Sequence, residues 1–317
     1  MLGIARLALR GPVIAAGLAA VLLLGSPFPL LAIGLLAAPL SYLMLVSSGA
    51  IMTLVMMRLG EQPALRTFLL GAALLLLVAL ATGAGFTQPL MSAGLFWGVA
   101  VGAGWVLRTT VRLDLALLLV AGVVALGLLL VFVFVGDPSE LWRETLGDML
   151  TKMAEISANQ GGVENPLLPG EQEQSRVVDT MATLMTGGAA STVFLVASAS
   201  TLLARSWQAS LFNPGGFQPE FHQLSFGRPA SIAGAAIIGA AYVTGWPLLI
   251  ALAMLVAAIF LFQGLAVAHA LVKIHGMNRG WLIGVYILLM QILVLLAALG
   301  LLDNWVNMRR QKTSSGN

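Results

Sequence analysis

Residues 113–135 read LDLALLLVAGVVALGLLLVFVFV, and from Leu115 to Val135 no side chain carries a charge. An α-helix rises about 1.5 Å per residue, so about 20 apolar residues cross the hydrocarbon core of a bilayer. This segment therefore predicts a transmembrane helix. The rest of the chain repeats the pattern, because apolar runs of similar length follow one another along most of the sequence.

The composition of the 317 residues supports a membrane protein with many spans. Hydrophobic residues make up 59% of the chain and charged residues only 9%, whereas a soluble domain has about 25% charged residues. A soluble enzyme and a single-pass anchor are both excluded by this composition. The chain has no cysteine, which excludes disulfides, thiolate metal sites and a cysteine nucleophile.

The apolar runs predict an all-α, polytopic transmembrane helical bundle of about eight to ten spans. Pro39 can split the second run, and the 230–272 stretch is broken only around Gly245. The first run resembles a signal peptide but lacks a clear cleavage site, so we expect an uncleaved span. The predicted spans are 11–25, 29–58, 64–82, 88–107, 113–135, 180–204, 230–245, 247–272 and 280–302.

Basic residues alternate between the loops and predict the orientation. The positive-inside rule places the amino terminus in the cytoplasm. We also expect the chain to lie in a bacterial inner membrane. Nine spans would put the basic tail around Arg309 outside, so we expect one miscounted span and a carboxyl terminus inside. The paired basic residues are Arg6 and Arg10, Arg58 and Arg66, Arg108 and Arg112, Arg205 and Arg228, and Lys273 and Arg279.

The segment 136–179 holds nine of the thirteen acidic residues and is predicted to lie outside the cytoplasm. Asp137-Pro138-Ser139-Glu140 is typical of a helix start. An amphipathic helix should follow, and its apolar face is either a lid over a cavity or a surface packed on the bundle. The face comprises Trp142, Leu146, Met149 and Met153. The predicted divisions are two transmembrane halves, 1–135 and 180–308, this insertion, and a polar tail, 309–317.

The predicted spans lack the groups that drive transport or catalysis. No charged residue lies in the middle of a predicted span, as an ion-coupled pump normally requires, and no phosphate-binding loop motif occurs. We expect no catalytic residues, no cofactor, no metal site and no nucleic-acid partner. The histidines at 222, 269 and 275 are too scattered for a metal cluster. Uncharged polar residues in the spans could bind a neutral ligand or hydrogen-bond between helices.

Two segments are candidates for contact with partners. Gly11, Ala15 and Ala19 follow one another at four-residue spacing, which suits close helix approach in lipid. The second is the loop 205–228, predicted as either a cytoplasmic docking loop or a structural elbow, with aromatic residues around a turn. Its candidate contact residues are Arg205, Trp207, Asn213, Pro214, Gly215, Gly216, Phe217, Glu220, His222 and Arg228.

Residues 205–222, RSWQASLFNPGGFQPEFH, resemble the YybS-like family of predicted bacterial membrane proteins. That family has no established activity, so the resemblance implies no catalytic residues. The architecture is also distantly similar to the substrate-binding subunits of energy-coupling factor vitamin transporters. Those subunits meet their partner through alanines spaced four apart on the first span, a pattern that Ala15 and Ala19 match.

Three functions follow from the sequence, in decreasing order of support. The first is a non-enzymatic transport component that binds a small, mostly uncharged solute and is energised by an ATPase-containing membrane complex. The second is a membrane scaffold or assembly factor that docks a partner through the 205–228 loop. The third, a lipid-modifying enzyme, lacks a convergent set of nucleophile, base and acid. In each case the lipid bilayer is the surrounding partner.

Overall fold

The computed structural model describes residues 2–26, 37–83, 85, 87–159, 171–278, 280–287, 289–306 and 308–309. These residues form thirteen α-helices and no strand, as the apolar patterning predicts. The helices are α1 (Leu2–Ala8), α2 (Pro12–Gly25), α3 (Ala37–Leu59), α4 (Glu61–Thr82), α5 (Thr87–Thr110), α6 (Leu113–Phe134), α7 (Ser139–Asn159), α8 (Glu171–Phe212), α9 (Phe217–His222), α10 (Gly227–Thr244), α11 (Pro247–Ile274), α12 (Gly280–Ile287) and α13 (Leu289–Val306).

Five of the described helices are long and apolar enough to cross a membrane, namely α3, α4, α6, α8 and α11. Helices α12 and α13 together would make a sixth, but they are bent by 113° and form either a broken span or a re-entrant element. The apolar helix α2 has only 14 residues, which is short for a crossing. The predicted count of eight to ten spans is therefore not confirmed.

Local backbone geometry bears on two ambiguities in the predicted spans. Pro39 lies in the first turn of α3 as described, where a missing N–H is tolerated, and residues 29–36 of the predicted run lie outside the described residues. The 230–272 stretch is two helices, because Gly245 adopts a left-handed conformation (φ 62°) that ends α10. Pro247 then occupies the first position of α11.

The centre of the bundle forms around α3. In its most apolar window 61% of the residues are buried, against 28% in α4 and in α6, which leave more of their surface for lipid. Trp97 of α5 is fully buried, and its indole N–H donates to the Ser48 hydroxyl at 2.9 Å. That hydroxyl donates in turn to the carbonyl of Ala19 at 2.7 Å. The relay ties α2, α3 and α5 together without leaving a buried polar group unpaired.

Helix α8 has 42 residues, so at 1.5 Å per residue it is roughly 63 Å long and exceeds the hydrocarbon core. Helix α7 packs along its amino-terminal part. The Trp142 indole donates to the Thr186 hydroxyl at 2.9 Å, and Arg143 pairs with Asp179 at 2.8 Å. Because α8 starts at Glu171, the predicted boundary between 179 and 180 falls inside this helix.

Helices α11 and α13 approach each other closely at two glycines. A β-carbon on Gly264 would overlap the carbonyl of Leu296, and one on Gly300 would overlap the carbonyl of Phe260. Small residues allow such backbone contact in lipid, where packing rather than hydrophobic burial drives helix association. The two glycines therefore set the separation of the helix pair that carries the site described below.

Replacing Gly300 by alanine should force α11 and α13 apart. Alanine is the better helix former, so any loss of stability reports the overlap with Phe260. We expect the free energy of unfolding to fall by about 1–3 kcal/mol, measured from the thermal midpoint in detergent. Gly239→Ala is the matched control, because nothing lies within 4 Å of its β-carbon position. Equal midpoints for the two variants would contradict the close packing.

Candidate functional site

Three cavities meet at His222, which lines all of them. Their volumes are about 620, 300 and 380 Å³, within the range of roughly 300–1,000 Å³ that is usual for ligand sites. The walls come from α8, α9, α11, α12 and α13, with the segment that follows each of α9 and α13. The largest cavity is the most polar, and it is lined by Pro219, His222, Gln223, Ser225, Ala270, Lys273, Ile274, Asp303 and Arg309.

Helix α9 is held against the end of α8 by a two-point ion pair. Arg205 contacts Glu220 through Nε at 3.2 Å and through Nη2 at 2.6 Å, and both side chains are largely buried. Between the two helices, Gly215 takes a positive φ of 88° that lets the chain reverse. Phe217 and Phe221 stack with ring centroids 5.8 Å apart. Together these contacts fix the direction in which α9 presents His222.

A buried hydrogen-bond network lies beside the largest cavity. Gln263 of α11 is fully buried and donates to Asp303 at 3.2 Å and to Asn304 at 3.1 Å. Its own oxygen accepts from the backbone N–H of Phe226 at 3.0 Å. Asn304 also donates to Ser231 at 2.5 Å. The network therefore joins α10, α11 and α13 at one level of the bundle.

Arg309 closes the network at the cavity wall. Its Nη2 donates to Asp303 Oδ2 at 2.5 Å, and its Nη1 donates to the carbonyls of His222 and Leu224 at 2.6 and 3.1 Å. The second carboxylate oxygen, Asp303 Oδ1, is buried and has no hydrogen-bond partner among the described residues. A buried acceptor of this kind costs free energy unless a donor reaches it.

The charges around the largest cavity do not balance. Asp303 is compensated by Arg309, whereas Lys273 forms no ion pair within the described part of the chain. Burial lowers the pKa of His222, and the charges of His269, Lys273 and Arg309 lower it further. The cavity therefore offers one uncompensated cation, an imidazole that favours its neutral form and one unpaired carboxylate oxygen.

The 380 Å³ cavity, which His222 also lines, is largely apolar. Tyr286 of α12 lies on its wall, with its hydroxyl 3.0 Å from His269 Nε2. The other side chains on its wall come mainly from α8, α9 and α11. They are Ala199, Leu202, Leu203, Ser206, Phe217, Gln218, Phe221, His222, Phe262 and His269.

The predicted partner loop divides into two parts in the structure. His222 lines the three cavities and Phe217 lines the 380 Å³ one, whereas Glu220 lines none of them and pairs with Arg205. Arg228 donates to the carbonyl of Asn304 at 3.3 Å. Trp207 is buried in the core. The turn formed by Asn213, Pro214 and Gly215 is exposed, while Gly216 and Phe217 are half-buried. The packed part makes its contacts within the chain, and the exposed turn remains a docking candidate.

The predicted helix-contact face packs within the chain. Ala15 and Ala19 are fully buried, in a helix that contacts mainly α3 and α4, and Gly11 precedes that helix rather than lying on its face.

On α7, Trp142 and Leu146 are half-buried and Met149 is exposed, and the side chain of Met153 lies outside the described residues. Neither surface borders the cavities.

Several residues of this site were not selected from the sequence. Four residues that line these cavities are absent from the candidates predicted from the sequence: His269, Lys273, Tyr286 and Asp303. The available signal was the Asp303-Asn304 pair at the end of an apolar run, together with Gln263 deep in another. Buried polar residues inside membrane segments usually find each other.

Several uncharged polar residues of the spans, in contrast, hydrogen-bond to backbone carbonyls of the bundle. Thr53 donates to the carbonyl of Ala100 at 3.0 Å, across to α5. Ser200 and Thr201 donate to carbonyls four residues earlier in α8. Among the described residues, no group of three or more acidic or histidine side chains could hold a metal ion.

Comparison with known proteins identifies a family but no individual similar protein. The model of a family described as "Predicted membrane protein (DUF2232)" matches residues 28–304. Neither the curated proteins nor the solved structures contain a significant match to the chain.

The His222→Gln variant tests whether the folded protein keeps this imidazole neutral. Its pKa is lowered in the folded chain, while the unfolded chain keeps the ordinary value of 6.5. As the pH falls through that value, protons bind preferentially to the unfolded state, so the free energy of unfolding decreases. We expect the thermal midpoint of the wild type in detergent to fall more between about pH 7.5 and about pH 5.5 than that of the variant. Equal falls would contradict the buried neutral state.

Proposed function

The chain belongs to the DUF2232 family of predicted membrane proteins, and from that premise we propose that it is a transport component rather than an enzyme. In this proposal it binds a small molecule in the cavities around His222 and passes it to, or receives it from, a partner that supplies the energy. The observation that carries the proposal is the 620 Å³ polar cavity at one end of an otherwise apolar helical bundle.

The lining of that cavity supports binding of a small polar group. Side chains with donors and acceptors converge there from α11, α13 and the segment after α9, including Gln223, Ser225, Lys273 and Asp303. A few placed polar groups in a concave site are the usual basis of ligand orientation. The charges depart from the mostly uncharged solute that the sequence suggested and favour a solute with a polar, partly charged group.

An external energy source is part of the proposal because the chain lacks the residues to supply its own. The sequence contains no phosphate-binding loop motif for ATP hydrolysis. The charged residues around the cavity also lie near helix ends, rather than at the midpoint of a span where coupling carboxylates usually lie. The partner would be an ATPase-containing membrane complex.

A bacterial inner membrane, with the cavity end facing the cytoplasm, completes the proposal. Arg58 lies over the Phe212 ring at 3.7 Å, Arg205 pairs with Glu220, and Arg309 contacts the carbonyl of His222. Basic side chains from three parts of the chain thus gather at one end of the bundle, which the positive-inside rule assigns to the cytoplasm. The last described residues lie at the same end, and the same rule puts the amino terminus inside.

We also propose two relationships to known groups of membrane proteins. One is membership of the YybS-like group, and the other is a common architecture with the substrate-binding subunits of energy-coupling factor transporters. Because Ala15 and Ala19 are buried against the chain's own helices, an energising partner would have to meet another surface.

The test is mass spectrometry of the molecules retained by the protein in nanodiscs made directly from membranes. We expect the wild type to retain a small molecule. Gln223→Trp should lose it, because Gln223 is exposed on the cavity wall and an indole there would fill the space. Gln62→Trp is the control, at an exposed position of α4 outside these cavities. Two results together would refute the transport proposal: the wild-type protein retains no small molecule, and a strain that lacks the protein shows unchanged metabolite uptake.

A second candidate function is a scaffold that docks a partner through the exposed turn of the 205–228 loop. The supporting observation is the projection of Asn213, Pro214 and Gly215 from the surface beside Phe212, which is itself half-exposed. Turns on rigid helical supports are common recognition elements. This role and ligand binding use different atoms, so the two functions are separable.

A double substitution, Asn213→Ser with Pro214→Glu, tests the docking role. It changes the exposed surface but keeps Gly216 and Gly215, whose positive φ the turn requires. We expect cross-linking to the partner in intact membranes to be lost, with the thermal midpoint unchanged. Capture of the same partner by the folded variant would exclude docking at this turn.

A further inference from the structure

We propose that the ligand of the His222 cavities is a phospholipid whose headgroup carries both a phosphate and a hydrogen-bond donor. This inference rests on the proposed function, since it names the class of molecule that the same site takes. It follows from three features: a polar cavity beside an apolar one, an uncompensated cation and an unpaired buried acceptor.

The first feature is the difference in lining between two cavities that share His222. The 620 Å³ cavity is lined by charged and amide side chains together with Pro219, Ala270 and Ile274, and the 380 Å³ cavity is lined mainly by phenylalanine, leucine and alanine. A free polar metabolite would leave the apolar cavity empty, and a hydrocarbon would leave the polar one empty. An amphiphile fills both, with its headgroup in the polar cavity and its chain in the apolar one.

The second feature is Lys273, the cation that no described acidic side chain neutralises. Arg309 is already committed to Asp303 and to two backbone carbonyls. Lys273 lines both the largest and the 300 Å³ cavity, so its ammonium is placed to meet an anionic group at their junction. A phosphate diester supplies one negative charge there.

The third feature is Asp303, which lines the largest cavity and whose Oδ1 is buried without a hydrogen-bond partner in the described structure. Only a donor can satisfy it, because a carboxylate oxygen accepts and does not donate. A headgroup that ends in an ammonium or a hydroxyl provides that donor. Phosphatidylethanolamine and phosphatidylglycerol both meet the requirement, whereas phosphatidylcholine has the same phosphate but no donor.

The experiment uses the full chain, delipidated and reconstituted into vesicles of equal parts phosphatidylethanolamine, phosphatidylglycerol and phosphatidylcholine. The protein is then extracted in mild detergent, and the lipids it retains are counted by mass spectrometry. We expect about tenfold more of one or both donor-bearing lipids than of phosphatidylcholine, the ratio that one charged hydrogen bond supplies. Retention of phosphatidylethanolamine alone assigns an ammonium to Asp303, and retention of phosphatidylglycerol assigns a hydroxyl.

Two variants separate the contacts. Lys273→Gln should lower retention of both donor-bearing lipids about tenfold, since it removes the free cation. Lys152→Gln, at an exposed lysine of α7, is the matched control and should retain the wild-type amount. Asp303→Asn, which is nearly isosteric, should abolish the preference over phosphatidylcholine. Because Lys273 is exposed, its replacement leaves the core intact and reports binding even if the Asp303 variant folds poorly.

Equal retention of the three lipids by the wild type, or equal retention by the two lysine variants, would overturn the inference. A failure of the phospholipid inference can be distinguished from a failure of the proposed transport function. A protein that retains a water-soluble molecule, and loses it in Gln223→Trp, but shows no lipid preference leaves the transport proposal intact and refutes the phospholipid. A protein that retains neither kind of molecule refutes both.

Discussion

The hydrogen-bond network around Gln263 is the interaction on which this end of the protein depends. An amide in an apolar helix must be paired, because lipid offers it no water and an unpaired group costs free energy. Gln263 finds its partners on α13 and at the start of α10. With these partners in place, Asp303 and Asn304 lie at the same level of the bundle. Arg309 then donates to the carbonyls of His222 and Leu224 and completes the cavity wall.

The glycines of α11 and α13 make that network possible. Gly264 and Gly300 bring the two backbones into contact, so the short side chains of Asp303 and Asn304 can reach Gln263. Larger residues would separate the helices and leave the amide and the carboxylate unpaired. Packing and polar pairing therefore depend on each other here. One carboxylate oxygen of Asp303 still has no hydrogen-bond partner among the described residues.

The predictable part of the site was the connection between α8 and α10. Aromatic residues, a glycine pair and an asparagine-proline turn identified it, and Phe217 and His222 do line the cavities. The rest could not be found this way. Lys273 and Tyr286 lie in segments that look like ordinary helix ends, and nothing in their spacing relates them to Asp303, which is 30 residues from Lys273 and 17 from Tyr286 in the chain. Similarly, Ala15 and Ala19 look like a free contact face, although the chain covers them itself.

The sequence by itself determined that this is an all-helical membrane protein, because apolar runs of bilayer length leave the backbone no other way to pair its polar groups in lipid. It also located most of the long apolar helices and the turn at Asn213, although the predicted count of eight to ten spans is not confirmed. The tertiary structure decided which polar residues meet, where α12 and α13 bend instead of crossing straight, and which of the exposed-looking faces are buried. Those outcomes depend on contacts between residues far apart in the chain, whereas periodicity and composition report only on neighbours along one helix.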